Sequence, residues 1–153
     1  MNRRSDAGFS LLELIAIMAI IIIIGAIALP SAVSARRSYV LLISSEALSQ
    51  QLNRCRQEAV RVNDRMFMKV TATEIRIDTS RDGEYDSEDG PPTLLSGGAI
   101  TAMTPTSGIV EFTSRGELPI GATVSFTVSH EGWKRVVSVE KRGAVIVGPE
   151  SPV

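Results

Sequence analysis

The sequence predicts an α+β fold in which one long N-terminal helix packs on an antiparallel β-sheet domain. Three observations lead to this prediction. After eight mostly polar residues, the 153-residue chain has an apolar run of membrane-helix length. An amphipathic stretch follows, and then short alternating segments separated by turn residues. We expect four parts: a leader over residues 1–8, a transmembrane helix over 9–29, an amphipathic continuation of that helix over 30–63, and a β domain over 64–153.

The apolar run over residues 9–29 carries one charge, Glu13. As an α-helix this run would extend about 31 Å at ~1.5 Å per residue, close to the ~30 Å hydrocarbon core of a bilayer. A charged carboxylate in such a helix costs on the order of 2.5–3.5 kcal/mol at the bilayer centre. We therefore expect Glu13 to have a cationic partner.

A small-residue site, Ala7-Gly8, precedes the apolar run. An ordinary secretory signal instead places its cleavage site after an apolar stretch of roughly 7–15 residues. Cleavage at this earlier site would leave the membrane helix on the mature protein, which would then begin at Phe9.

The segment Gly8-Phe9-Ser10-Leu11-Leu12-Glu13-Leu14 resembles the class III leader of type IV pilins and type II secretion pseudopilins. The resemblance implies that a prepilin peptidase cleaves between Gly8 and Phe9 and methylates the new amine of Phe9. It also implies that Glu13 pairs with the N-terminal amine of a neighbouring subunit during filament assembly, which would supply the missing cation.

The same resemblance implies an inner-membrane protein with one span and a periplasmic C-terminal domain. Charge alone does not decide the orientation, because Arg3 and Arg4 before the span are balanced by Arg36 and Arg37 after it. Pro30 falls where many family members carry a proline that bends the helix, and proline removes a helical hydrogen bond.

Helical spacing continues beyond the membrane segment. Apolar residues recur at intervals of 7, 4, 3, 4 and 3, namely Leu41, Leu48, Leu52, Cys55, Ala59 and Val62. This period predicts a helix that ends near Val62, with one face laid on the β domain and a stop at Asn63-Asp64. Cys55 lies on the apolar face, where we expect a buried, unreactive thiol.

The rest of the chain shows strand signals. Alternating or β-branched segments separated by turn residues predict strands over 66–70, 74–77, 109–112, 124–128, 133–139 and 144–147. Turns are expected at 129–132 and 141–143. Their spacing favours one antiparallel sheet.

Two segments narrow the resemblance. The stretch 112–119, with Arg115-Gly116 at its centre, resembles the C-terminal signature of H-type minor pseudopilins and FimT-type minor pilins. Residues 52–59 resemble the end of the helix in that subfamily, with Cys55 in place of the usual alanine. Glycine favours a turn at 115–116, and a contact role for Arg115 is the alternative reading.

An acidic stretch over residues 78–90 holds six carboxylates against one arginine. It is typical of a solvated loop. Its spacing also matches positions 1, 3, 5, 6, 9 and 12 of a calcium-binding loop, with candidate ligands Asp78, Ser80, Asp82, Asp86 and Asp89 around Gly83. Asp89 in place of the usual glutamate, and strands in place of flanking helices, count against calcium. Otherwise no cofactor is expected.

Four basic residues surround the last hairpin: Lys134, Arg135, Lys141 and Arg142. They predict either solvated strand faces or a phosphate-contacting surface for nucleic acid. No aromatic ladder for stacking single-stranded bases accompanies them.

Composition excludes several classes. A net charge of −1 argues against a protein that coats nucleic acid. A single cysteine excludes an intramolecular disulfide, and one His with one Cys disfavours a zinc site. No nucleophile elbow or phosphate-binding glycine loop is present, and we expect no enzyme.

We expect a minor pseudopilin, a structural subunit of the type II secretion pseudopilus, whose partners are the prepilin peptidase, other pilin or pseudopilin subunits and the inner membrane. One alternative is a minor pilin of a type IV pilus that binds DNA in natural transformation. The other is a plain single-pass anchored domain that binds a ligand or calcium.

Overall fold

The computed structural model describes residues 10–153, apart from the side chains of Ala28 and Pro30. The predicted processing site at Gly8 and Phe9 lies outside these residues. One helix, α1, covers Leu11–Val62. The chain divides into two compact units, the first ending at Arg36 and the second formed by Arg37–Val153. Pro30 lies within α1, and the bend expected there stays a prediction.

Helix α1 ends where the sequence predicts. Asn63 adopts a φ of 52°, the left-handed conformation that asparagine tolerates better than most residues. Its N–H donates to the carbonyl of Val60 (3.3 Å), and the N–H of Asp64 donates to the carbonyl of Ala59 (3.2 Å). These two bonds form a Schellman motif and satisfy carbonyls that the last helical turn leaves free.

Nine strands follow the helix: β1 Met66–Val70, β2 Glu74–Asp78, β3 Thr93–Leu94, β4 Ala99–Thr104, β5 Ile109–Phe112, β6 Val124–His130, β7 Trp133–Val139, β8 Val145–Val147 and β9 Ser151–Pro152. They form two antiparallel sheets. The order is β3-β2-β1-β5 in the first and β4-β6-β7-β8 in the second, where β9 also pairs with β7. The expected α+β fold is confirmed, with two sheets where we expected one.

Three strands were missed. β3 and β9 are two residues each, too short to show a period. In β4 only Ile100 is buried, and its pairing with β6 shifts register between Ile100 and Ala102. Such an irregularity breaks the alternation on which strand prediction depends.

The β6–β7 hairpin is tighter than predicted. His130 pairs with Trp133, so the connection is only Glu131-Gly132, with φ angles of 48° and 78°. Two successive positive φ angles are characteristic of a type I′ turn, whose twist suits a two-residue hairpin. Ser129 and His130 belong to β6.

The core lies between one face of α1 and the inward side chains of both sheets. The predicted helical face is confirmed. Leu41, Leu48, Leu52, Cys55 and Ala59 are fully buried, while Val62 is half-buried at the edge. The most deeply buried strand side chains of the core are Met66, Met68, Val70, Ile75, Val110, Phe112, Phe126, Val128 and Val137.

Cys55 is a free, buried thiol, as predicted. Burial, and then the negative charges of Asp78 and Glu58, raise its pKa from 9.0 to about 12.

We expect Cys55 not to react with Ellman's reagent at pH 8 until the chain is unfolded by denaturant. Fast labelling of the folded protein would contradict this. Because the folded pKa is the higher one, Cys55 also makes stability fall as pH rises from about 9 through 12.

Helix α1 and two loops of the β domain meet at one close contact. The Arg56 Nε donates to the carbonyl of Gly116 (3.0 Å), in the turn predicted at 115–116, where Gly116 has a φ of 72°. Gly143, in the β7–β8 turn, packs so closely that an added Cβ would lie 1.9 Å from the Gly116 oxygen and 2.8 Å from the Arg56 Nε. The helix, the loop after β5 and the β7–β8 turn therefore meet without room for a side chain.

Candidate assembly site on the N-terminal helix

The start of α1 is capped by a side chain. The N–H of Leu12 donates to Ser10 Oγ (3.3 Å), and the N–H of Leu14 donates to the Ser10 carbonyl (3.1 Å). Ser10 and Glu13 have the spacing of a capping box, and Glu13 lies in the first turn, where free N–H groups favour negative charge. We had not predicted this cap, although the Ser-x-x-Glu spacing indicates it.

Glu13 is exposed among exposed leucines. Leu11, Leu12 and Leu14 have 77, 76 and 53% of their surface accessible. None of the ion pairs formed among residues 10–153 includes Glu13. The assembly role implied by the resemblance stays a prediction, since the N-terminal amine and neighbouring subunits lie outside what the structure describes.

The helix presents an uncovered apolar surface on both sides of Glu13. The exposed side chains are Leu11, Leu12, Leu14, Ile15, Ile17, Met18, Ile20, Ile21, Ile22, Ile23, Ile24, Ile27 and Leu29. An 18-residue window of this segment has a mean hydropathy of 2.9 and no buried residue. At about 1.5 kcal/mol or more per large apolar side chain, covering the set would gain on the order of 20 kcal/mol. The helix is long and apolar enough to span a membrane.

The acidic loop is closed at its base by two carboxylates. Asp78 is 1% exposed; its Oδ1 accepts from the Arg81 N–H (2.6 Å) and its Oδ2 from the Gly83 N–H (3.1 Å). Asp89 Oδ1 accepts from the N–H groups of Thr79 (2.7 Å) and Ser80 (3.0 Å). Burial raises the pKa of Asp89, but these hydrogen bonds outweigh it and hold the pKa below its ordinary value.

The other two candidate carboxylate ligands are also used within the loop. Asp82 Oδ1 accepts from the Glu84 N–H, and Asp86 Oδ1 from the Glu88 N–H, both at 2.8 Å. Within residues 10–153 no group of three or more His, Cys, Asp or Glu side chains is placed to hold a metal ion. Ser80 contacts both Asp78 (3.3 Å) and Asp89 (3.0 Å), but the structure does not bring three of the predicted carboxylate ligands together. A calcium ion held by three of these carboxylates would require the loop to rearrange.

Calcium binding stays a prediction. If it holds, calorimetry of the detergent-solubilised full chain should show heat at millimolar calcium, and Asp86→Asn should reduce it because that carboxylate is exposed and forms only a local turn. The absence of heat at millimolar calcium would contradict the prediction.

The four basic residues of the last hairpin do not form one patch. Lys134 and Arg135 begin β7 and are half-buried, whereas Lys141 and Arg142 are exposed in the turn after β7 ends. The five residues 136–140 lie between the two pairs, and in extended chain they separate Arg135 from Lys141 by roughly 20 Å. Nucleic-acid binding by this hairpin stays a prediction, as does a contact role for Arg115, which is exposed.

The sequence did not predict a cluster formed by Arg37, Ser38, Trp133 and Glu150. The guanidinium carbon of Arg37 lies 4.5 Å from the ring centroid of Trp133, and its Nε is 3.9 Å from Glu150 Oε1. Ser38 Oγ donates to the same carboxylate oxygen (3.2 Å). The contact joins residues almost a hundred positions apart, so no local pattern could indicate it.

Comparison with known proteins places the fold. No protein-family model matches this chain, and no curated protein matches it in sequence. Two crystal forms of the type IV minor pilin FimU from Pseudomonas aeruginosa (strain PAO1) are similar in structure. One has a TM-score of 0.60 at 17% identity, covering 71% of this chain and 88% of FimU. The other has a TM-score of 0.58 at 18% identity, covering 69% and 90%. This chain has the type IV pilin-like fold.

Proposed function

We propose that this chain is a minor subunit of a pilin-like filament, held in the inner membrane by residues 9–29 with its β domain in the periplasm. The observation that carries the proposal is the uncovered apolar surface of α1 around a single carboxylate. A bilayer can cover that surface before assembly and neighbouring helices can cover it afterwards. The type IV pilin-like fold supports the same reading.

In this proposal the prepilin peptidase removes residues 1–8 and methylates Phe9. The new N-terminal amine of Phe9 is then the cation closest in sequence to Glu13. Glu13 of one subunit pairs with the amine of another. Neither charge is stable alone in hydrocarbon, whereas the pair is tolerated. The pairing would fix the axial register between subunits as their helices pack side by side.

The first candidate assembly is the pseudopilus of type II secretion; the resemblance of residues 112–119 to H-type pseudopilins and FimT-type minor pilins is compatible with it and with a pilus. The second is a type IV pilus, which the structural likeness to FimU supports. Deleting the gene in its source organism separates them. Loss of protein secretion with normal pili supports the pseudopilus, and loss of pili with normal secretion supports the minor pilin.

The intact mass of the membrane-extracted protein tests the processing step. We expect a chain that lacks residues 1–8 and carries one added methyl group in cells with prepilin peptidase, and the full-length chain in cells without it. Gly8→Val is the matched variant, and we expect it to remain uncut because a branched side chain replaces the glycine at the cleavage site. An uncut wild-type chain in both strains would contradict the proposed processing and indicate an ordinary anchored domain.

A further inference from the structure

β5 is an end strand of the first sheet, and part of its outer edge is unpaired. The Val70 N–H donates to the Gly108 carbonyl (2.8 Å), in the register of the β1–β5 pair. Successive residues of an antiparallel strand direct their backbone groups toward the partner and away from it in turn, so Ile109 and Glu111 face outward. The Ile109 N–H donates to Ser107 Oγ (3.3 Å). Among the described residues, the Ile109 carbonyl and both backbone groups of Glu111 thus have no hydrogen-bond partner.

A groove of about 430 Å³, here called the β5 groove, lies against this edge. Val110, Leu118 and Val124 line it, and each is at most 6% exposed. Pro105 and Pro119 also line it and are half-buried. An apolar chain laid in the groove would therefore contact the core while its backbone meets the free edge of β5.

The surface beside the β5 groove is also apolar. Ile109 is 39% exposed, and Ile120, in the loop before β6, is fully exposed. Covering a large apolar side chain gains about 1.5–3 kcal/mol. Exposed apolar side chains gathered beside a groove are typical of a protein–protein contact.

A second cavity, of about 570 Å³, shares Ala122 and Thr123 with the β5 groove and extends to Lys141 and Arg142. Both cations are exposed, and neither belongs to an ion pair formed among residues 10–153. Glu140 also lines this cavity, so the three charged side chains leave a net positive charge. This end of the groove therefore favours a carboxylate of the occupant.

The free edge, the apolar lining and the positive end together fit an extended polypeptide. A free strand edge is a template for pairing with another chain. An extended chain has its own free N–H and carbonyl groups and places alternate side chains on one face, so it can pair with β5 and fill the groove at the same time. A helix has already used its backbone groups internally, and an acyl chain has none.

We propose that the β5 groove binds an extended segment of a partner protein by strand addition to β5. Apolar side chains at alternate positions of that segment contact Val110, Leu118 and Val124, and an acidic residue at one end lies near Lys141 and Arg142. This contact goes beyond the packing of α1 helices proposed above, because it involves the β domain alone and does not depend on the placement of residues 9–29 in a membrane.

A peptide library supplies the probe. Random heptapeptides displayed on phage are selected on the full chain in detergent micelles, after empty micelles have removed peptides that bind detergent. We expect the enriched sequences to carry apolar residues at alternate positions and an acidic residue at one end. Enrichment without this alternation would overturn the proposal, and so would the absence of any enrichment.

Hydrogen exchange of the Glu111 amide tests the pairing itself. This amide should exchange fast in the free chain, and the enriched peptide should slow its exchange by about tenfold or more. The same peptide is also methylated on alternate backbone nitrogens, once in each phase, which keeps the side chains but blocks one edge. The form blocked on the edge that faces β5 should lose binding. If both methylated forms bind like the parent peptide, or if Glu111 exchange is unchanged, strand addition is wrong.

A matched pair of variants locates the contact. Thr123 is exposed and lines both cavities, so Thr123→Tyr should obstruct the groove and raise the peptide Kd by about tenfold, or ~1.4 kcal/mol. Thr101, exposed in β4, lines neither cavity, and Thr101→Tyr should bind the peptide like the wild type. Equal loss in both variants, or full binding by Thr123→Tyr, would overturn the proposal.

Two further outcomes identify other causes. Protection of the Glu111 amide that grows with chain concentration, without peptide, would indicate a second copy at β5 and overturn a partner protein. A chain that remains uncut and does not enter filaments would contradict the proposed function, and a Glu111 amide that no enriched peptide protects would contradict only strand addition.

Discussion

Glu13→Ala should leave leader removal intact and lower incorporation into the filament by about a hundredfold or more. Removing one partner of a buried ion pair costs roughly 3–5 kcal/mol, because the remaining charge is left without compensation. Here the remaining charge would be a neighbour's N-terminal amine. The measurement is the ratio of this subunit in sheared filaments to that in membranes, by quantitative immunoblot.

Glu13→Gln is the informative companion. Glutamine can keep the capping box with Ser10 but carries no charge. If Glu13 acts by pairing with an amine, the glutamine variant should fail like the alanine variant, whereas Glu13→Asp should recover part of the incorporation. Wild-type incorporation of the glutamine variant would reduce Glu13 to a helix cap, and normal incorporation of the alanine variant would remove it from the mechanism.

Gly143→Ala should be among the most destabilising single-methyl changes in the β domain. The new Cβ would lie 1.9 Å from the Gly116 carbonyl oxygen, so backbone must move. The φ of 80° adds strain of about 1–2 kcal/mol for a non-glycine residue. Together with an overpacking cost of roughly 1–3 kcal/mol, we expect a loss of about 3 kcal/mol. Denaturant unfolding of the full chain in detergent, followed by Trp133 fluorescence, measures it.

Gly121→Ala is the matched control for this effect. Gly121 has a nearly identical φ of 82°, but an added Cβ meets nothing within 4 Å. It should therefore lose only the conformational part, about 1 kcal/mol. Equal losses at the two positions would show that the close contact among Arg56, Gly116 and Gly143 contributes nothing beyond backbone strain.

Local periodicity predicted the elements that depend on local sequence. The 3–4 spacing from Leu41 to Ala59 identified the buried helical face, and Asn63 identified the helix end, because both signals lie within a few residues. The strict alternation of Val124, Phe126 and Val128 identified β6. β4 was missed because its register shift interrupts the alternation.

Contacts between distant segments could not be predicted in this way. The division into two sheets depends on which strands pair, and β1 pairs with residues of β5 that lie forty or more positions later in the chain. The basic residues at 134–135 and 141–142 looked like one group in sequence, but the length of β7 separates them. Arg37 meets Trp133 only through the folded domain. Glu13 was selected as a candidate because a charge within an apolar run is itself a local signal, and its assembly role stays a prediction.

The closed base of the acidic loop makes this loop a suitable place to insert a label. Asp78 and Asp89 hold its two ends through backbone N–H groups, while Glu84 between them is exposed. Once the ends are fixed, doubling the length of a flexible loop costs only about 0.6 kcal/mol. An epitope tag inserted at Glu84 would then mark individual subunits under the electron microscope while α1 and both sheets keep their contacts.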